Sequence, residues 1–169
     1  MKQQSIKQPR ADKGFRKQVE SIKKQKIVSK KVVSLQDFRD LRKNIETKTI
    51  LVVDDDDVMR NALKRILESE GYKVLLAIDG LDLSKILESS RLDMILLDVT
   101  LPWVDGVELC RLLKTHHSLK NIPLIMVSAR NTKEDIEKGF DAGCDNYVTK
   151  PFEIDHITNI IQQQFLKSG

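Results

Sequence analysis

From residue 49 onward, short apolar runs alternate with stretches of helical period, and this alternation restricts the chain to very few folds. Thr49 to Val53 reads as a strand. Val58, Ala62, Leu63, Ile66 and Leu67 then recur at helical intervals near 57–70, with Gly71 as the stop. Lys73 to Ile78 is the second strand, and Leu81, Leu83, Ile86 and Leu87 mark a second helix. The third strand, Asp93 to Leu97, leads past Pro102 and Gly106 to a helix carrying Val107, Leu109, Cys110, Leu112 and Leu113. Pro123 introduces the strand Leu124 to Val127, and Ile136, Phe140 and Gly143 mark a fourth helix and its end. Asn146 to Thr149 is a short fifth strand, followed by the stripe Ile154, Ile157, Ile160, Ile161 and Phe165.

Five β-α units in a row imply a parallel sheet with helices on both faces, because each crossover must return to the same edge and is almost always right-handed. The strands are unbroken apolar runs, as burial on both faces requires. The expected fold is therefore α/β, a five-stranded, doubly wound parallel sheet. In such sheets ligands bind beyond the carboxyl ends of the strands.

The first strand ends in Asp54, Asp55, Asp56 and Asp57, the third in Asp98, the fourth in Ser128, and the fifth in Lys150 and Pro151. Carboxylates gathered at one edge repel one another and drive at least one pKa upward unless a cation neutralises them. Hard oxygen donors of this kind suit Mg2+. A cation site with anion donors around one carboxylate is what phosphoryl transfer to an aspartate needs. In that chemistry Asp98 is the nucleophile, Mg2+ and Lys150 spread the charge on the phosphoryl oxygens, and Ser128 donates a hydrogen bond to one of them. Asp56 or Asp57 has the plainer duty of capping the helix that follows. His116 and His117 read as solvated groups at a helix C-terminus, and Trp103 as a loop-packing residue.

These residues lie in four motifs: ILVVDDD at 50–56, LLDVTLPWVDG at 96–106, MVSA at 126–129 and AGCDNYVTKPF at 142–152. In that order the chain, over about residues 48–167, resembles the receiver (CheY-like) domain of two-component response regulators. The resemblance implies a flavodoxin-like strand order of 2-1-3-4-5. It implies Asp54 and Asp55 as the acidic pair, and Mg2+ held directly by Asp55, Asp98 and the backbone carbonyl of Thr100. Asp98 becomes the phosphoacceptor, Ser128 and Lys150 contact the phosphoryl group, and Tyr147 is the aromatic residue whose rotamer follows the hydroxyl. The Lys150–Pro151 bond looks like the family's cis peptide. Ser128 stands where Thr is more frequent, and Leu101 where Met is usual. Thr100 and Arg130 occupy positions that vary in the family and influence phosphoryl lifetime.

On this resemblance the chain is a signalling switch that self-catalyses its phosphorylation and dephosphorylation, and a signalling protein more than an enzyme. Its phosphodonor is a sensor histidine kinase or a histidine phosphotransfer protein, and its output partner is unspecified. Two other readings stand beside it: a receiver-like scaffold that is never phosphorylated, and a metal-dependent phosphatase with an Asp nucleophile. The second needs another acid near Asp98, for which the sequence offers no candidate.

The net charge of +4 hides a split. Residues 1–48 hold 15 Lys and Arg against 5 Asp and Glu, a balance of +10, and residues 49–169 balance at −6. Residues 1–33, rich in Lys, Gln and Ser, read as a disordered basic arm. Within 34–47, Ser34 can cap a short amphipathic helix bearing Leu35, Phe38, Leu41 and Ile45. Residues 48–169 form the receiver. The arm favours nucleic acid or another polyanion in a salt-dependent way, a reading ranked below docking on the chain's own domain. No recognisable DNA-binding domain follows residue 169, so a stand-alone receiver is expected.

No apolar run approaches the roughly 20 residues of a membrane span, and residues 1–20 lack the apolar core of a secretory signal. Cys110 and Cys144 match no metal or redox spacing and read as reduced core thiols. A cytoplasmic location is the expectation.

Overall fold

The computed structural model describes residues 47–168. The division of the chain into an arm at 1–33 and a helix at 34–47 falls almost wholly outside them. The elements run β1 (Thr49–Val53), α1 (Asp57–Ser69), β2 (Lys73–Ala77), α2 (Gly80–Ser89), β3 (Met94–Leu97), α3 (Gly106–Thr115), β4 (Leu124–Ser128), α4 (Lys133–Asp141), β5 (Asn146–Thr149) and α5 (Ile154–Ser168). The five strands form one parallel sheet in the order β2-β1-β3-β4-β5, as the resemblance implies.

Successive strand residues point to opposite faces, so each strand supplies two cores. Leu51, Val53, Ile95, Leu97 and Met126 face one side with Leu83 of α2 and Leu109, Cys110 and Leu113 of α3. Ile50, Val52, Met94, Leu96 and Val127 face the other with Leu63 and Leu67 of α1 and Ile157 and Ile161 of α5. Full burial of each such aliphatic side chain is worth about 1.5–3 kcal/mol, and β1, β3 and β4 are buried along their whole length.

The connections after the strands are closed by side chains suited to the purpose. Asp56, Asp79 and Asp105 cap α1, α2 and α3 by accepting from two backbone amides each, and Thr132 caps α4. Such a cap contributes about 1 kcal/mol. Gly71 and Gly143 take positive φ of 92° and 101°, the left-handed turns that end α1 and α4.

Six apolar residues counted in helical stripes are turned outward. Val58 is 80% exposed, and Ala62, Leu81, Leu112, Phe140 and Ile154 are also on the surface. In α1 the buried residues are Arg60, Leu63 and Leu67. At about 100° per residue, Val58 sits roughly 140° around the helix from Leu63. Strand limits shift slightly as well: Ile78 lies past β2 and its carbonyl accepts from Trp103 Nε1 at 3.2 Å. Asp93 lies before β3 and its carboxylate accepts from Thr49 N at 2.8 Å. Cys110 and Cys144 are buried free thiols, and burial pushes them up to about 11 and about 12.

Candidate functional site

Parallel pairing brings the carboxyl ends of β1, β3, β4 and β5 to one edge, with β1 and β3 adjacent at the centre. Val53 pairs with Leu97, so Asp54 and Asp98 leave the sheet side by side. Asp98 N donates to Val53 O at 2.8 Å, which holds the two strand ends in step.

Lys150 follows β5 and reaches across the crevice. Its Nζ donates to Asp54 Oδ2 and to Asp98 Oδ2, each at 2.8 Å. The other oxygen of each carboxylate takes a backbone amide: Asp54 Oδ1 accepts from Asp56 N at 2.8 Å and Asp98 Oδ1 from Thr100 N at 3.0 Å. The second of these keeps the Thr100 backbone beside Asp98. Asp55 is exposed, and one oxygen from each of Asp54, Asp55 and Asp98 can be chosen so that all lie within 4.8 Å of one another.

Charge and burial compete here. Asp54 is 2% exposed, and desolvation pushes its pKa above the usual carboxylate value although Lys150 and the Asp56 amide oppose the rise. For Lys150 desolvation acts downward, yet its hydrogen bonds to Asp54 and Asp98 outweigh it and leave the pKa above that of a free lysine. Burial wins at the single carboxylate, and pairing wins at the amine held between two of them. Lys150 therefore stays charged at neutral pH.

Ser128 closes β4 and is wholly buried. Its Oγ accepts from Arg130 N at 3.1 Å. Tyr147, on β5, donates its hydroxyl to Arg130 O at 2.9 Å, so Ser128 and Tyr147 grip the same loop residue from either side. Burial raises the Tyr147 pKa, with the Ser128 hydroxyl opposing. Gly139 of α4 makes room for this ring, because a Cβ there would stand 2.8 Å from Tyr147 Cδ2. The Lys150–Pro151 peptide is cis.

Of the residues singled out from sequence, Asp54, Asp98 and Lys150 are joined directly, and Asp55 and Thr100 stand beside them. Ser128 and Tyr147 are hydrogen-bonded to Arg130 instead. Two residues of the site escaped sequence reading. Gly106, read only as lying ahead of the third helix, packs against the backbone of Asp98 and Val99, where a Cβ would come within 2.5 Å of Asp98 O. Arg60 is buried beneath the β1–α1 turn, with Nη1 donating to Asp54 O at 2.8 Å and Nη2 to Asp57 Oδ1. Its spacing from Leu63 and Leu67, which puts a cation on the apolar stripe, was the available signal.

The donor chemistry fits a hard divalent cation. Three carboxylates can each present one oxygen within 4.8 Å of the other two, and one of the three is exposed enough to leave room for bound water.

A doubly wound sheet with an acidic cluster, a bridging lysine and a buried hydroxyl at its carboxyl edge is the arrangement that the sequence resemblance implies. Residues 50–162 match the family described as response regulator receiver domain, and the chain belongs to that family, the signalling switch of two-component systems. It is 40% identical over 108 residues to the response regulator MprA of Mycobacterium ulcerans, a match covering 64% of this chain and 46% of that protein. The chain thus spans about half the length of the curated relatives it matches. Among solved structures, a putative response regulator from Chloroflexus aurantiacus superposes with a TM-score of 0.67 at 32% identity, covering 72% of this chain and 99% of that one. A receiver domain of a Pseudomonas aeruginosa sensor histidine kinase, solved with a magnesium ion coordinated in its active-site cleft, superposes with a TM-score of 0.64 at 31% identity, covering 70% and 98%. No helix among the described residues is long and apolar enough to cross a membrane.

Proposed function

We propose that this receiver accepts a phosphoryl group on Asp98 from the phosphohistidine of a partner kinase or phosphotransfer protein, with Mg2+ bound by Asp55, Asp98 and the Thr100 carbonyl and supported by Asp54. The observation that carries the reading is the Lys150 ammonium, 2.8 Å from both Asp54 and Asp98. Paired in this way, the Asp98 nucleophile has a cation already in position for the charge that develops on the phosphoryl oxygens.

In the transfer an Asp98 oxygen forms a bond to phosphorus as the phosphorus–nitrogen bond breaks, and the imidazole leaves with the electron pair. Mg2+, when bound, supplies charge neutralisation for the phosphoryl oxygens. Lys150 turns from the Asp54 carboxylate to a phosphoryl oxygen while staying beside Asp98, and the Thr100 N to Asp98 Oδ1 bond holds the nucleophile in its orientation. Ser128 turns its hydroxyl from the Arg130 amide to a phosphoryl oxygen.

The release of Arg130 N is the step that would pass the signal onward. Arg130 O holds the Tyr147 hydroxyl, and the Arg130 guanidinium lies 3.6 Å from Asp105 at the start of α3. Drawing Ser128 toward Asp98 therefore shifts one loop residue that tethers β5 and α3 together, a population shift between two arrangements of the α4–β5 face. A further protein reading that face is the output.

Incubation with acetyl phosphate and Mg2+, followed by intact mass, tests the reading. The expected result is an adduct of about 80 Da, one phosphoryl group, which is lost in Asp98→Ala. An unmodified wild-type mass would favour the non-phosphorylated scaffold instead.

A further inference from the structure

Arginine almost never sits fully inside a protein unless paired, yet Arg60 is 4% exposed in the first turn of α1. What it pairs with is unusual. One arm of the guanidinium reaches the backbone carbonyl of Asp54 at 2.8 Å and the other the carboxylate of Asp57. The β1 ladder ends one residue earlier, where Val53 O accepts from Asp98 N. Asp54 O lies beyond that ladder on a buried residue, where a carbonyl left without a donor is destabilising.

Asp55 is in the opposite situation. Its side chain is exposed, and among the described residues no hydrogen bond or ion pair holds its carboxylate. Its direction follows from the backbone that carries it. Because a peptide unit is planar, fixing the oxygen of Asp54 fixes the nitrogen and Cα of Asp55 as well. The Asp54 Oδ1 to Asp56 N bond, at 2.8 Å, closes the same turn from its far side.

We propose that Arg60 is a positioning residue for the metal site: by clamping the Asp54–Asp55 peptide from beneath, its guanidinium aims the unpartnered Asp55 carboxylate at the cation that Asp98 shares. The proposal rests on the reading of these aspartates as a Mg2+ site, and it concerns binding, not the transfer step.

The sign of the effect separates positioning from charge. Arg60 is a cation close to a cation site, so electrostatics alone would have its removal tighten Mg2+ binding. Loss of positioning weakens it, and outer partners of metal ligands are typically worth about 10–100-fold in affinity. Isothermal titration of Mg2+ into the full chain, wild type against Arg60→Met and Arg60→Lys, decides between them. Melting temperatures in EDTA identify which variants fold, and titrations are run well below them. Arg60→Met is expected to raise the Kd about tenfold, and Arg60→Lys to give a smaller rise. Lysine keeps the charge but offers one ammonium where two guanidinium arms stood, so its rise is geometric alone, and it carries the test if Arg60→Met does not fold. A folded variant that binds Mg2+ as tightly as wild type or tighter overturns the role of Arg60, even if its melting temperature has dropped. A wild type that binds no Mg2+ overturns the site reading itself, and the proposal with it.

Discussion

Lys150 is held between two carboxylates, and its removal would leave both without their cation. Breaking a largely buried, charge-assisted contact of this kind costs roughly 2–3 kcal/mol. Lys150→Met is therefore expected to lower unfolding free energy by about that much in urea titrations in EDTA, and to abolish acetyl phosphate labelling; a loss under about 0.5 kcal/mol would contradict the pairing. The two buried thiols give a pH dependence with a definite sign. Their folded pKa values, about 11 for Cys110 and about 12 for Cys144, lie above the ordinary 9.0. The unfolded chain thus loses these protons first as pH rises, and stability falls above about pH 9, by up to roughly 1.4 kcal/mol per pH unit per thiol. Urea midpoints between pH 7 and 11 should decline in wild type and decline less in Cys144→Ala. Iodoacetamide labelling at pH 8 should be slow in the native protein and fast in denaturant.

At the scale of elements, the close approach of α3 to the end of β3 decides how Asp98 is presented. Gly106 N donates to Val99 O at 2.9 Å, and the missing side chain lets the first turn of α3 rest on the backbone of Asp98 and Val99. Gly106→Ala places a methyl group 2.5 Å from Asp98 O, so the helix has to retreat. Overpacking of this kind costs about 1–3 kcal/mol, readable as a lower urea midpoint, and it should slow phosphorylation of Asp98 although no ligand is altered. The Asp56 cap of α1 has a smaller share: Asp56→Ala is expected to cost about 1 kcal/mol, while the backbone amide that holds Asp54 is retained.

Across the whole molecule, the sheet collects like charge at one edge and relies on Lys150 and a bound cation to offset it. Mg2+ binding to the folded chain alone should stabilise it by mass action, about 1.4 kcal/mol at ten times the Kd, seen as a higher melting temperature in Mg2+ than in EDTA. Asp55→Asn should remove that gain and, by relieving repulsion, melt higher than wild type in EDTA. Much of this architecture is legible along the chain. The alternation of apolar runs with helical stripes specifies five strands and five helices, and strand-end residues Asp54, Asp98, Ser128 and Lys150 can be read off directly, because periodicity and strand termination are local properties of the backbone. That Val58 faces solvent while Arg60 enters the core was signalled only by the spacing of Arg60 from Leu63 and Leu67, since a stripe locates a helix face only to within a turn and packing selects which side is covered. The direct ion pair of Lys150 with Asp54 across 96 residues was not legible, although both were expected at one edge of the sheet. Spacing places each at a strand end, but only the order of strands in the sheet, set by crossovers and by two cores filling together, brings the amine and the carboxylates to one point.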